Sequence, residues 1–278
     1  MLKSLSLKLA ALALVAATVA AFTPMDVITI KGSDTMVQLA QRWAEKYMKQ
    51  NSGVQIQVNG GGSGTGISAL INGTTDICTA SRPMKDAEKL KLRDRFGTTG
   101  IEVRTAKDGL TIFLNQANPL KELSFEQIRG IYTGKIKNWK EVGGDDKDII
   151  LYGRENSSGT YSFLKENVLL NEDYANTMQA LPGTAAVVNA VKRDPAGIGF
   201  GGAGYAKEVK ECAVRHGNAD AAYLPSAENV ANGSYPITRY LYFYLRAKPD
   251  GATKDFIKWV LGAEGQQVVV NEGFFPVK

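Results

Sequence analysis

The chain has 278 residues, 44% of them hydrophobic and 22% charged, with two cysteines, one histidine and a formal net charge of +5. So few cysteines and histidines cannot supply the three or four ligands of a usual zinc site, and Lys and Arg are mixed among Asp and Glu without the basic stripe of a nucleic-acid binder. No metal, cofactor or nucleic acid is expected, and the length suffices for one large or two ordinary domains with their own cores.

The chain opens with Lys3 and Lys8, an apolar run from Leu9 to Phe22, and small residues at Ala20 and Ala21. This is the layout of a secretory signal peptide over residues 1–21. As a membrane span the run falls short of the roughly 20 apolar residues a bilayer requires, and charges interrupt every later apolar run. No cysteine follows the segment to accept a lipid. A free periplasmic protein, with no stable membrane insertion after cleavage, is the expectation.

From Val27 onward, short β-type runs alternate with helical patterns, which predicts an α/β architecture with largely parallel sheets. Val27 to Lys31 reads as a strand and Gly32-Ser33-Asp34-Thr35 as a turn with N-cap residues. Met36, Leu39, Ala40, Trp43, Ala44, Tyr47 and Met48 then mark one helical face. Val54 to Val58 is a second strand, Asn59 to Gly66 a glycine-rich loop, Ile67 to Ile71 a short helix and Asp76 to Thr79 a third strand. Cys78 in that strand reads as a small buried hydrophobe. A disulfide to Cys212 is permitted by the compartment but not legible. Polar loops thus follow strand ends, where open α/β sheets bind ligands.

A second series begins near Gly109, with a strand over Leu110 to Leu114, a helix over Ser124 to Tyr132, a strand over Ile149 to Tyr152 and a helix over Tyr161 to Val168. Ile198 to Phe200 and Tyr240 to Leu245 are later strands, and the helical Thr253 to Leu261 carries the chain back toward its start. Two lobes joined by crossing strands are expected, residues 22–106 with 246–278 forming one and residues 107–245 the other.

Three loops place glycine and hydroxyl residues just before a helix: Gly32 to Thr35, Gly60 to Gly66, and Asn156-Ser157-Ser158-Gly159-Thr160. A helix N-terminus leaves backbone N–H groups unpaired and carries partial positive charge, so each loop can offer donors to an anion. Ordinary capping explains any one of them equally well. Three together, one preceded by Arg154 at the end of an apolar run, point to an oxyanion cradle, because a planar guanidinium fork suits such a ligand. The other reading of Arg154 is a surface ion pair with Glu155. Asp34 likewise has two readings, as a favoured N-cap residue or as a hydrogen-bond acceptor beside the anion.

Enzyme fingerprints are missing from these loops. The glycine loop has no G-x-G-x-x-G and no Lys-Ser/Thr ending, and Gly61-Gly62-Ser63-Gly64-Thr65 puts threonine where the hydrolase elbow needs its last glycine. His216 lies in a polar stretch with no paired nucleophile. The chain reads as a binder and not an enzyme, with a secreted phosphate-ester hydrolase as the weaker reading.

At Arg154-Glu155-Asn156-Ser157-Ser158-Gly159-Thr160, at Tyr132 to Gly144 around Lys137-Asn138-Trp139-Lys140, at Gly62 to Gly66 and at Asp194 to Phe200, the sequence resembles the periplasmic phosphate-binding proteins of ABC importers. The likeness covers nearly the whole chain after the signal segment. It implies a two-lobed periplasmic-binding-protein fold of type II, each lobe a mostly parallel sheet flanked by helices. It also implies capture of inorganic phosphate between the lobes and delivery to permease subunits by a monomeric protein. By the same resemblance Arg154 is the cationic contact, Ser158, Gly159, Thr160 and Ser63 supply hydroxyl and amide donors, and Thr35 with the amide of Met36 contributes from the first loop, where a one-residue shift would place Asp34; Ser33 of that loop and Ser81 are counted among the ligand-binding residues. Trp139 and its lysine neighbours look structural or permease-facing.

One position departs from the family. Well-known members carry an aspartate after the third strand to accept the proton of bound phosphate, and here Thr79-Ala80-Ser81-Arg82-Pro83 places Ser81 there. Sulfate, molybdate or tungstate stay open as ligands on that account.

Overall fold

A computed structural model describes residues 25–277, and the signal-peptide reading of residues 1–21 lies outside them. Strand β1 (Asp26–Gly32) runs between β2 (Val54–Asn59) and β3 (Ile77–Ala80), parallel to both. Its alternation buries Ile28 and Ile30 beneath helix α1 (Asp34–Gln50). That helix presents the predicted apolar face, with Trp43 set edge-on to Phe243 at 5.6 Å and its Nε1 donating to Gly265 O at 2.8 Å. Helix α2 (Ser63–Asn72) starts a turn earlier than the glycine-rich sequence suggests, because Ile67 and Leu70 pack into a core with Cys78 and Leu92, and packing outweighs the weak helix propensity of Gly64 and Gly66. Helix α3 (Asp86–Phe96) follows β3.

Strand β4 (Ile101–Leu114) is longer than its predicted part at Leu110 to Leu114. Its first half pairs antiparallel with β10 (Thr238–Leu245), Ile101 opposite Leu245 and Gly109 opposite Thr238. Its second half pairs with β8 (Gly197–Gly202). The charged stretch from Glu102 to Asp108 hid the first half. Arg104 is accommodated on the outer face, stacked 4.4 Å from the Tyr240 ring.

The second lobe repeats the strand, turn, helix order. Strand β6 (Ile150–Arg154) runs parallel to β8 and to β7 (Gln179–Leu181), while β5 (Glu122–Ser124) pairs with β9 (Lys210–Arg215). Helices α4 (Phe125–Tyr132), α5 (Gly159–Asn167) and α6 (Thr184–Arg193) pack on them, followed by the short α7 (Ala227–Ala231). The chain returns through β10 to helices α8 (Gly251–Val260) and α9 (Ala263–Asn271), which lie against α1. The strand order is β2-β1-β3-β10-β4-β8-β6-β7, parallel within each lobe and antiparallel where β4 and β10 cross between them.

Two large buried clusters result, one around Trp43 and one around Trp139. Trp139 is buried with Nε1 donating to Ala196 O at 2.9 Å, which settles its role as structural. Cys78 and Cys212 are both free and buried, in different cores. Burial raises both thiols, Cys212 to about 12, so neither is a reactive thiolate. No helix among the described residues is long and apolar enough to cross a membrane.

Candidate ligand-binding cleft

Three helices begin at the line where the lobes meet. Ser33 is the N-cap residue of α1 and Gly62 that of α2, and neither helix start has a side-chain cap hydrogen bond. Only α5 is capped in the ordinary way, Ser158 Oγ accepting from Tyr161 N at 3.3 Å. A helix start without a cap keeps its first N–H groups available to an outside acceptor. Simple capping therefore does not explain the first two loops.

The loops touch across the cleft. Thr35 Oγ1 and Thr160 Oγ1 are 2.8 Å apart, and Gly64 N donates to Ser157 O at 2.9 Å. Gly62, with φ +92°, fits only because it lacks a side chain: a Cβ there would stand 2.5 Å from Ser157 O. Ser63, Ser81, Gly159 and Thr160 are thereby brought together, with Ser81 N donating to Ser63 Oγ at 3.0 Å and the two serine hydroxyls 3.4 Å apart. The Met36 side chain is part of the first core and its N–H is directed to Ser33 O at 3.0 Å, so it stands at the edge of the group.

Arg154 ends β6 with its side chain only 1% exposed, which removes the surface reading. Nε donates to Leu181 O at 3.2 Å and Nη1 to Thr184 Oγ1 at 3.2 Å. The ion pair with Glu155 is present as well, Nε donating to Oε2 at 3.3 Å and Nη2 to Oε1 at 3.4 Å. Nη2 crosses the cleft to Asp34 Oδ2 at 2.6 Å. Asp34 is not the N-cap. It is the first residue of α1, and its other oxygen accepts from Gly61 N at 2.8 Å, tying the first loop to the second. At the position where the family carries an aspartate, Ser81 is fully buried, and the neighbouring Arg82 is forked onto Glu88 at 2.9 and 2.7 Å.

Three residues at the cleft were not singled out from the sequence. Tyr205 donates to Asp34 O at 2.9 Å from the opposite lobe, and burial pushes its phenol up to about 12. Asp108 and Arg239 face each other on the crossing strands beneath the cleft. The available signal was an arginine at the head of an apolar strand run, Arg239 before Tyr240 to Leu245, since a charge in such a place needs a partner, whereas Asp108 ends a charged stretch.

Two α/β lobes that meet over convergent helix N-termini and a buried arginine define a solute-binding protein of the clamshell type, built to take an anion. A model of the PBP superfamily domain matches residues 16–264. The phosphate-binding protein PstS of Pseudomonas aeruginosa is 36% identical over 263 residues, covering 88% of this chain and 81% of that protein, and PstS of Bacillus subtilis is 30% identical over 259 residues, covering 90% and 80%. A phosphate ABC transporter substrate-binding protein from Clostridium perfringens, solved with bound phosphate, superposes with a TM-score of 0.82 at 30% identity over 91% of this chain and all of that one. An ABC-type phosphate transport receptor from Vibrio cholerae gives 0.71 at 32% identity, over 89% of this chain and 99% of that one. The chain belongs to the PstS family of phosphate-binding proteins within the PBP superfamily.

Proposed function

We propose that this protein captures inorganic phosphate between its lobes in the periplasm, as a monomer, and hands it to the permease subunits of an ABC importer without catalysing a reaction. The observation that carries the reading is the pair of helix starts without caps, α1 and α2, facing the buried Arg154 and the hydroxyls of Thr35, Ser63, Ser158 and Thr160. A dehydrated oxyanion needs such donors, and each charge-assisted bond outweighs a neutral one. Ser33 N donates to Thr79 O at 2.9 Å at the start of α1, and Gly159 gives room for Ser63 and Ser81 to approach. The lobes are divided within the crossing strands β4 and β10, Leu110 to Ile237 holding the buried residues of one core and Leu241, Phe243 and Leu245 packing in the other.

Two measurements test this together. Calorimetric titration of the ligand-stripped protein with phosphate, arsenate, sulfate, molybdate and tungstate is expected to show tight binding of phosphate. Scattering is expected to show a smaller radius of gyration at saturating phosphate, because donors on opposite lobes reach one anion only with the cleft shut. Tighter binding of sulfate or tungstate than of phosphate would reassign the ligand.

Asp34 takes over the acceptor role that Ser81 leaves open. Its carboxylate stands in the cleft on Arg154, where it can receive the proton of hydrogen phosphate, while fully deprotonated sulfate meets its negative charge instead. Asp34→Asn keeps an acceptor for Gly61 N but loses the ion pair. It is expected to weaken phosphate binding about tenfold or more and to narrow the preference over sulfate. An unchanged preference in the variant would move the acceptor elsewhere.

A further inference from the structure

Arg239 is sealed in the centre of the protein and reaches both sides of the cleft. It stands on β10 directly opposite Asp108 on β4, with side chains 1% and 0% exposed. Nε and Nη2 donate to Asp108 Oδ2 at 2.9 and 2.8 Å, and Asp108 Oδ1 accepts from Ala203 N at 3.0 Å. The Phe163 ring lies 5.4 Å from the guanidinium carbon. Two further bonds run to the cleft, Nη1 to Ser81 O at 3.1 Å in the first lobe and Nη2 to Thr160 Oγ1 at 3.0 Å in the second.

A hydroxyl has one hydrogen and two lone pairs. With one lone pair of Thr160 facing a cationic donor, its hydrogen is kept away from Arg239, and when the Thr35 hydroxyl closes the 2.8 Å contact by donating into the second lone pair the Thr160 hydrogen is left for an anion. Ser63 and Ser158 are set in the same sense, because Ser63 Oγ accepts from Ser81 N and Ser158 Oγ accepts from Tyr161 N. Each of the three already accepts a hydrogen bond and keeps its own hydrogen to donate. For the two serines the donor that sets this polarity is a backbone amide. For Thr160 it is a side chain from the crossing strands.

We propose that Arg239 is a positioning residue of the anion site. It holds the Thr160 hydroxyl as a donor and, by gripping Ser81 O at the same time, ties that orientation to the closed arrangement of the lobes. Its effect on the ligand runs through Thr160. The inference rests on the phosphate-binding reading above and adds to it a residue beneath the cleft, in the hinge.

A double-mutant cycle read by calorimetric titration with inorganic phosphate tests it, using wild type, Arg239→Lys, Thr160→Val and the double variant. Lysine keeps a charge beside Asp108, but its single nitrogen cannot serve Asp108, Ser81 and Thr160 through a fixed fork. Arg239→Lys is expected to raise Kd roughly ten- to a hundredfold in the wild-type background, and by less than about twofold where Thr160 has no hydroxyl to orient. Equal losses in both backgrounds, or no loss at all, overturn the proposal and leave Arg239 as a support of the hinge. Thermal unfolding of all four proteins is run alongside. If Arg239→Lys does not fold, the neutral pair Arg239→Gln with Asp108→Asn takes its place, with the same pattern expected. A wild type that ignores phosphate but binds another of the anions above refutes the phosphate reading alone, and the same cycle with that anion still decides the role of Arg239.

Discussion

Replacing Arg154 with alanine is expected to abolish tight phosphate binding while leaving both lobes folded. The guanidinium is held within its own lobe by Leu181 O and Thr184 Oγ1, so little ordering is left to be done on binding, and Asp34 meets it across the cleft. Charge-assisted hydrogen bonds contribute roughly 1.5 to 3 kcal/mol each, and losing two weakens binding by about a hundredfold or more. The ion pair adds to this. Without Arg154 the Asp34 carboxylate faces the cleft uncompensated and repels the anion, so Asp34→Asn in the Arg154→Ala background should restore part of the lost affinity. Arg154→Lys should recover less than a conservative change suggests, because an ammonium cannot reproduce the fork. Calorimetric titration of these variants, with thermal unfolding to verify the fold, measures each effect. An Arg154→Ala protein with near-native affinity would take Arg154 out of the site.

A change as small as Gly159→Val should have an effect of similar size by a different route. A Cβ at Gly159 would overlap Ser63 Oγ and stand 2.7 Å from Ser81 Oγ, and both of these belong to the opposite lobe. The clash thus lies across the cleft and not within either core, so the lobes can relieve it by staying apart at no cost to their own packing. Phosphate affinity is expected to fall about a hundredfold or more, since the donors of the first lobe no longer reach an anion held by the second. The radius of gyration should be the same with and without saturating phosphate, and the thermal midpoint close to wild type. Tight binding with normal compaction in Gly159→Val would show that the two lobes do not have to approach this closely.

Most of the fold was legible because the strands and helices of each lobe carry their own periodicity. The alternation of β1 and the apolar face of α1 are examples, and both stand where the pattern placed them. Legibility failed where a residue's environment is set from elsewhere in the chain. The first half of β4 is charged, and it becomes a strand through its pairing with β10, more than 120 residues later. The first turn of α2 is glycine-rich and becomes helical through packing. At the cleft, Arg154 and the loop after it were readable because a local run of Ser158, Gly159 and Thr160 opens a helix. The pairing of Asp108 with Arg239 was not readable, because it lies in the register of two distant strands. The position of Asp34 as a bridge between Arg154 and Gly61 was hidden for the same reason, since both partners come from other loops.

The chain order of the two cores also sets the order in which they can be completed. Every buried residue of the core around Trp139 lies between Leu110 and Ile237, in one continuous stretch of polypeptide. The core around Trp43 begins at Ile28 but needs Leu241, Phe256, Val269 and Phe274, and the Trp43 indole finds its acceptor only at Gly265. A chain emerging amino end first, from a ribosome or a secretion channel, can therefore pair β1 with β2 and β3 early but leaves the core around Trp43 unfinished until almost the last residue has appeared. The middle of the molecule is the first part able to become native, reversing the amino-terminal-first order common in multidomain chains. The joining of the two ends of the chain is the final step of assembly, and the cleft is complete only after it.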